Sequence, residues 1–168
     1  MNYYSLNNIA PNTTFENAVI KGLAPDRGLY FPKNITALDS SFFETIETLS
    51  NEKIAYEAIK QFISSEIPEA VLKTIISETL NFDFPVVKLT DSISTLELFH
   101  GPTMAFKDVG ARFMARCLGY FNKNNSHEVT VLVATSGDTG GAVANGFLGV
   151  KGVRVVILYP SGKVSNIQ

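Results

Sequence analysis

Val129-Thr130-Val131-Leu132-Val133-Ala134-Thr135-Ser136-Gly137-Asp138-Thr139-Gly140-Gly141 is the stretch on which the fold turns. Residues 129–134 form a near-continuous apolar run, which predicts a strand with both sheet faces covered. Residues 140–150 are mostly small and suit a helix, and the apolar run at 153–159 predicts the next strand. Strand, crossover helix and strand make a parallel βαβ unit, because parallel neighbours need a crossover connection. The loop after the first strand lies at its carboxyl end, where open α/β sheets bind ligands.

Upstream, the pattern changes near Phe84-Pro85. Val86-Val87-Lys88-Leu89 and Thr95-Leu96-Glu97-Leu98-Phe99 read as strands. Phe106, Val109, Phe113, Met114, Cys117, Leu118 and Phe121 then suit one broad helix face, followed by a polar loop at 122–127. Before residue 85 the pattern is mainly helical. Thr13 and Glu16 have capping-box spacing ahead of Val19 and Ile20, with Gly22 as a stop. Ala24-Pro25-Asp26-Arg27-Gly28-Leu29-Tyr30-Phe31-Pro32 reads as a turn and a short extended piece. Residues 40–49 predict a short helix, Ile54 to Ile63 a second, and Val71 to Leu80 a third after the first-turn proline Pro68. The expectation is a mainly helical region, residues 1–85, ahead of an α/β domain, residues 86–168, with a mostly parallel sheet and flanking helices.

Composition narrows the classes. Of 168 residues, 45% are hydrophobic, which argues against disorder. A formal charge of −2 offers no reason to expect nucleic acid or an anionic membrane as partner. The single cysteine, Cys117, excludes an intrachain disulfide and agrees with a reducing cytoplasm. The first residues lack the basic and apolar regions of a secretion signal, and no apolar run reaches the ~18 residues of a membrane span. No group of residues has metal-ligand spacing. Pro160-Ser161-Gly162-Lys163-Val164-Ser165 follows the last strand where another helix is due, so the chain reads as the front part of a longer protein.

Two loops carry the chemistry. Ser136, Gly137, Asp138 and Thr139 open a helix, whose first-turn N–H groups and dipole favour an anion. The plainer alternative is that Asp138 or Thr139 caps that helix. The loop is neither a Walker A sequence nor a Gly-x-Gly-x-x-Gly. The other loop, His100-Gly101-Pro102-Thr103-Met104-Ala105-Phe106-Lys107-Asp108, reads as a strand end, a tight turn and a helix start. A lysine amine is a poor nucleophile until desolvation or the helix dipole disfavours its charged form; Met104, Phe106 and Phe113 supply apolar surroundings for Lys107. The plainer alternative is a surface lysine paired with Asp108. His100 is read as orienting the turn, with a phosphate or proton-relay role as the alternative, Cys117 as a small buried hydrophobe, and Arg112 and Arg116 as charges on an exposed face, with contact to an anionic substrate as the alternative. Lys163, beyond the last strand, is a weaker candidate for holding a substrate phosphate.

The lysine loop resembles the pyridoxal-phosphate lysine motif of the threonine synthase family. Ala134-Thr135-Ser136-Gly137-Asp138-Thr139-Gly140 is similar to that family's second signature, and Ile157-Leu158-Tyr159-Pro160-Ser161-Gly162-Lys163-Val164-Ser165 to a third. Gly22-Leu23-Ala24-Pro25-Asp26-Arg27-Gly28-Leu29-Tyr30 resembles the family's opening region. The resemblance implies a fold-type II pyridoxal-phosphate enzyme that converts O-phospho-L-homoserine and water to L-threonine and phosphate. It implies that Lys107 carries pyridoxal 5'-phosphate as a Schiff base and shuttles protons. It also implies that Ser136, Gly137, Asp138 and Thr139 meet the cofactor, and that Ser136 and Thr139 meet the substrate. Asp138 stands where many relatives carry an asparagine, so either a proton is shared with the cofactor's 3′-oxygen or Asp138 turns away. The activity is expected of the longer parent protein, with little or no turnover by these 168 residues alone. The alternatives are another fold-type II lyase, dehydratase or phospholyase, and a non-catalytic module that keeps the loops.

Overall fold

The computed structural model of the chain describes residues 2–124, 126–135 and 137–165. They pack as two compact units, Met1–Glu78 and Thr79–Gln168.

In the first unit a short antiparallel pair, β1 (Tyr3–Ser5) and β2 (Tyr30–Pro32), accompanies the helices α1 (Phe15–Lys21), α2 (Ser40–Thr45), α3 (Asn51–Ile63) and α4 (Glu69–Thr79). A 3-10 turn, Ile46–Thr48, follows α2. Asp39 and Ser50 cap α2 and α3 through their side chains. The predicted capping box of α1 is displaced by one residue. Thr13 is held in a bridge to Tyr3, so Thr14 becomes the cap and its hydroxyl accepts from Asn17 N. The Glu66 carboxylate then takes the first two helical N–H groups, Phe15 N at 3.1 Å and Glu16 N at 2.8 Å. Gly22 ends α1 at φ 70°, a left-handed value that suits glycine. Ile63, Ile67, Leu72 and Ile76 form the buried core, each contributing roughly 1.5–3 kcal/mol on burial.

Asp26 ties the opening segment down. Its carboxylate accepts from Ser5 Oγ at 2.6 Å, Gly28 N at 3.0 Å, Ala10 N at 2.8 Å and Ile9 N at 3.1 Å. The Ser5 hydroxyl bond, with help from the backbone donors, lowers its pKa to about 2. A carboxyl whose folded value is depressed adds stability above its ordinary value of 3.8, and that contribution fades as pH falls through about 2. Asp26→Asn is expected to remove this acid-side loss between pH 4 and 2, and to lower the unfolding midpoint at neutral pH by several degrees. Thermal unfolding followed across pH for both proteins checks it.

The second unit begins with an antiparallel hairpin, β3 (Val86–Lys88) and β4 (Ser94–Leu96). It continues with α5 (Lys107–Asn122), β5 (Val129–Ala134), α6 (Asp138–Phe147) and β6 (Val153–Leu158). β5 and β6 pair in parallel, from Val129↔Val153 to Ala134↔Leu158, and Thr135 N bonds Leu158 O at 2.9 Å to extend the ladder. Their burial alternates, contrary to the expectation that both faces are covered. Val131, Val133, Val155 and Ile157 are half-buried, and α6 residues line a shared cavity with Val131 and Val133. Leu132, Val156 and Leu158 lie on the opposite face and are exposed.

α5 and α6 pack at backbone distance. A Cβ built on Gly146 would stand 3.0 Å from Ala111 C and 3.1 Å from Ala111 O, so a larger residue there would require α5 to give by a few tenths of an ångström. Of the predicted α5 face, Cys117 and Leu118 are buried, whereas Phe106 and Met114 are exposed and border a cavity. Asn122, read from sequence as loop, is the buried last residue of α5. Its amide donates to Gly152 O at 2.8 Å, and Val129 N donates to that same oxygen. Burial pushes the Cys117 thiol up to about 12. Native protein is therefore expected to resist iodoacetamide at pH 8 and to react fully once unfolded, as mass spectrometry of the two samples would read.

Candidate functional site

Lys107 is the first residue of α5 and is half-buried. Its Nζ lies 5.2 Å from the centre of the Phe106 ring, a cation–π distance. Lys107 and Phe106 form one wall of a cavity of about 480 Å³, with Gly110, Ala111 and Met114 also from α5. Val131, Leu132 and Val133 of β5 and Thr139, Ala142, Val143 and Phe147 of α6 complete it. The fold thus brings two of the expected residues, Lys107 and Thr139, onto one largely apolar cleft. Such a cleft lowers the effective dielectric around any polar group placed in it.

Asp108 is not the partner that the plain surface reading required. It is 1% exposed, and its carboxylate accepts from Thr103 N at 2.9 Å and from Thr103 Oγ1 at 2.5 Å. His100 stacks on Phe99 and sits 2.6 Å from Glu97 Oε2. Arg112 donates to Asn81 Oδ1 at 2.9 Å and lies over the Phe82 ring, and Arg116 donates to Arg112 O.

A second cavity, of about 400 Å³, opens on Thr135, Gly137, Gly140, Gly141, Ala144, Ile157, Tyr159 and Val164. Ser136 lies outside the described residues. The helix entry is organised by a residue that sequence reasoning passed over. Thr135 Oγ1 accepts from Gly137 N at 3.1 Å and from Gly140 N at 3.3 Å. Gly137 occupies the N-cap position without a side chain, so neither Asp138 nor Thr139 is the cap. Two N–H groups expected to face an anion are therefore already paired within the loop. Asp138 is exposed in the first helical turn, where a carboxylate suits the positive end of the dipole. Gly140 is needed for packing: a Cβ there would stand 2.5 Å from Thr135 Cγ2 and 3.4 Å from Ile157 Cγ2. A Cβ on Gly141 would reach Thr103 Cβ at 4.0 Å, ordinary contact, so the two loops are neighbours. Lys163 is exposed beyond β6, next to the cavity-lining Val164.

Residues 2–80 match the family described as the threonine synthase N terminus. The whole chain is 42% identical over 168 residues to threonine synthase from Serratia marcescens and covers 39% of that protein. The crystal structure of PLP-bound threonine synthase from Brucella melitensis superposes with a TM-score of 0.92 at 35% identity, over 99% of this chain and 37% of that one. The Escherichia coli threonine synthase structure gives 0.89 at 39% identity, over 98% and 38%. These are α/β enzymes of whose length the chain spans about two fifths. The chain belongs to the threonine synthase family.

Among the described residues, no group of three or more His, Cys, Asp or Glu could hold a metal ion, and no helix is long and apolar enough to cross a membrane.

Proposed function

We propose that this chain holds the lysine-bearing part of a threonine synthase, a pyridoxal-phosphate lyase that converts O-phospho-L-homoserine and water to L-threonine and phosphate. The observation that carries the reading is the meeting of Lys107 and Thr139 on one apolar cleft. An amine at the edge of an apolar space suits a planar aldehyde cofactor: the amine offers covalent attachment, and Val131, Val133 and Ala142 offer flat packing. When bound, pyridoxal phosphate supplies an electron sink for a carbanion at the substrate Cα.

The chain's own residues would supply part of the remaining chemistry. Lys107 would hold the cofactor through its amine and would carry the substrate's Cα proton. The apolar lining offers packing surface to the cofactor but is open to solvent in this chain, with Phe106, Met114 and Leu132 exposed. Thr139, beside Lys107 on the cleft, offers a hydroxyl to the cofactor or the substrate carboxylate, with Ser136, Gly137 and Asp138 as its companions in the loop. Lys163 is assigned a contact with the substrate phosphate. The parallel β5–β6 pair with α5 and α6 supports a fold-type II assignment and the α/β role of residues 86–168 after the mainly helical residues 1–85. The buried, free Cys117 thiol is in keeping with a cytoplasmic enzyme.

The test is product analysis of the holoprotein with O-phospho-L-homoserine. L-Threonine and phosphate appearing in equal amounts support the assignment. Phosphate accompanied by a 2-oxo acid instead of threonine would mark a phospholyase and overturn it.

A further inference from the structure

The turn ahead of Lys107 is built around a contact that the chemistry above does not use. Helix α5 has no side-chain cap, since its N-cap residue is Phe106. Its second residue, Asp108, reaches back instead. One carboxylate oxygen accepts from Thr103 N at 2.9 Å and the other from Thr103 Oγ1 at 2.5 Å. This extends the reciprocal half of a capping box, in which an acidic side chain early in a helix bonds an N–H before it. Asp108 is 1% exposed, so water does not replace these bonds when one is lost.

The turn is closed tightly around that carboxylate. Met104 N bonds Gly101 O at 3.0 Å, and Asp108 N bonds Ala105 O at 3.0 Å. Met104 adopts φ 56°, a left-handed value that surrounding contacts must hold for a side chain of its size. A Cβ on Gly101 would fall on the Asp108 carboxylate, 2.9 Å from its Cβ and 3.0 Å from its Cγ. Thr103 lies near α6, since a Cβ added at Gly141 would come within 4.0 Å of Thr103 Cβ. The bonded pair therefore includes the residue that follows Lys107 and lies beside the helix that carries Thr139.

We propose that Thr103 and Asp108 are a positioning pair for the Lys107 amine, a buried latch that fixes the direction of its side chain relative to the α6 wall of the cleft. This rests on the reading of Lys107 as the cofactor lysine. Neither residue touches reacting atoms. The latch acts by holding residues 101–108 in one conformation, so that the amine is presented without a search among turn geometries. Loosening it leaves the amine in place chemically but spreads its orientation.

The experiment uses the holoprotein and its Thr103→Val, Thr103→Ser and Asp108→Asn variants. It measures the dissociation constant for pyridoxal phosphate, the pH midpoint of the visible cofactor band, and the unfolding midpoint of the cofactor-free protein. Thr103→Val keeps the side-chain shape and removes the hydroxyl. It is expected to weaken cofactor retention roughly tenfold and to shift the pH midpoint, the effect of one lost charge-assisted bond. Asp108→Asn is expected to do the same, and Thr103→Ser to behave as wild type. Unchanged retention and pH midpoint in Thr103→Val would overturn the proposal, even if that variant unfolds at a lower temperature, because a merely structural bond moves only the latter. If Thr103→Val does not fold, a loss in Thr103→Ser as large as in Asp108→Asn overturns it, since the hydroxyl is retained there. Borohydride reduction of wild type that labels a residue other than Lys107 would instead end the cofactor-lysine reading, separately from the latch.

Discussion

On the proposed assignment, replacing Lys107 with alanine in the whole protein is expected to lower phosphate release from O-phospho-L-homoserine by roughly 10²–10⁴-fold, with the borohydride-trapped cofactor label lost altogether. The two losses have one origin. The half-buried amine at the start of α5 lies on a cleft walled by β5 and α6, and its ammonium leans on the Phe106 ring. On that assignment alanine removes the nucleophile and the proton carrier together. The fold is expected to survive, because Lys107 contributes a partly exposed stem rather than core packing; a change in unfolding free energy within about 0.5 kcal/mol fits such a position. Peptide mapping of reduced holoprotein and a phosphate assay on both proteins read the outcome. A label that persists in the variant would remove Lys107 from the chemistry.

Gly140→Ala has the largest stability effect expected at the site. The new methyl group would stand 2.5 Å from Thr135 Cγ2, closer than any relaxed carbon pair, and 3.4 Å from Ile157 Cγ2. Thr135 cannot rotate away freely, because its hydroxyl accepts the Gly137 and Gly140 N–H groups. Overpacking of this kind costs about 1–3 kcal/mol. The clash names its own remedy. Thr135→Ser retains the hydroxyl and deletes Cγ2, so the double variant Gly140→Ala/Thr135→Ser is expected to regain most of the loss. Urea unfolding of the four proteins of the cycle measures the coupling. Strict additivity would show that the methyl–methyl contact is not the source.

The comparison of sequence with structure follows the range of each interaction. The βαβ run was legible because apolar residues at 129–134 and 153–158 flank a stretch of small residues, a pattern set by local periodicity. Helices α3 and α5 were legible for the same reason. The short strand β1 was not, since three residues carry no period and its pairing depends on β2 some twenty-five residues later. The cap of α1 was placed one residue early because the tie between Thr13 and Tyr3 is a tertiary contact. Expected coverage of both sheet faces failed for Leu132 and Val156, which show that an apolar run reports hydrophobicity on each face and not what packs against it. At the site, Lys107 and Thr139 stood out as residue types in suggestive loops. Thr135 and Thr103 did not. Each acts through a hydroxyl whose partner is set by a turn, Thr103 to Asp108 five residues on and Thr135 to Gly140 at the same separation. That spacing fits neither a capping box nor a helical face, and a threonine carries no charge to draw the eye.

The contact of Gly146 with Ala111 is backbone against backbone. Neighbouring helices ordinarily slide past each other by letting intervening side chains hop between rotamers. At Gly146 no side chain of α6 stands between the helices, so at this point α6 has little room to slide along α5. Enlarging residue 146 is therefore expected to push the two helices apart and to widen the cleft they share, rather than to be absorbed by a side-chain rotation.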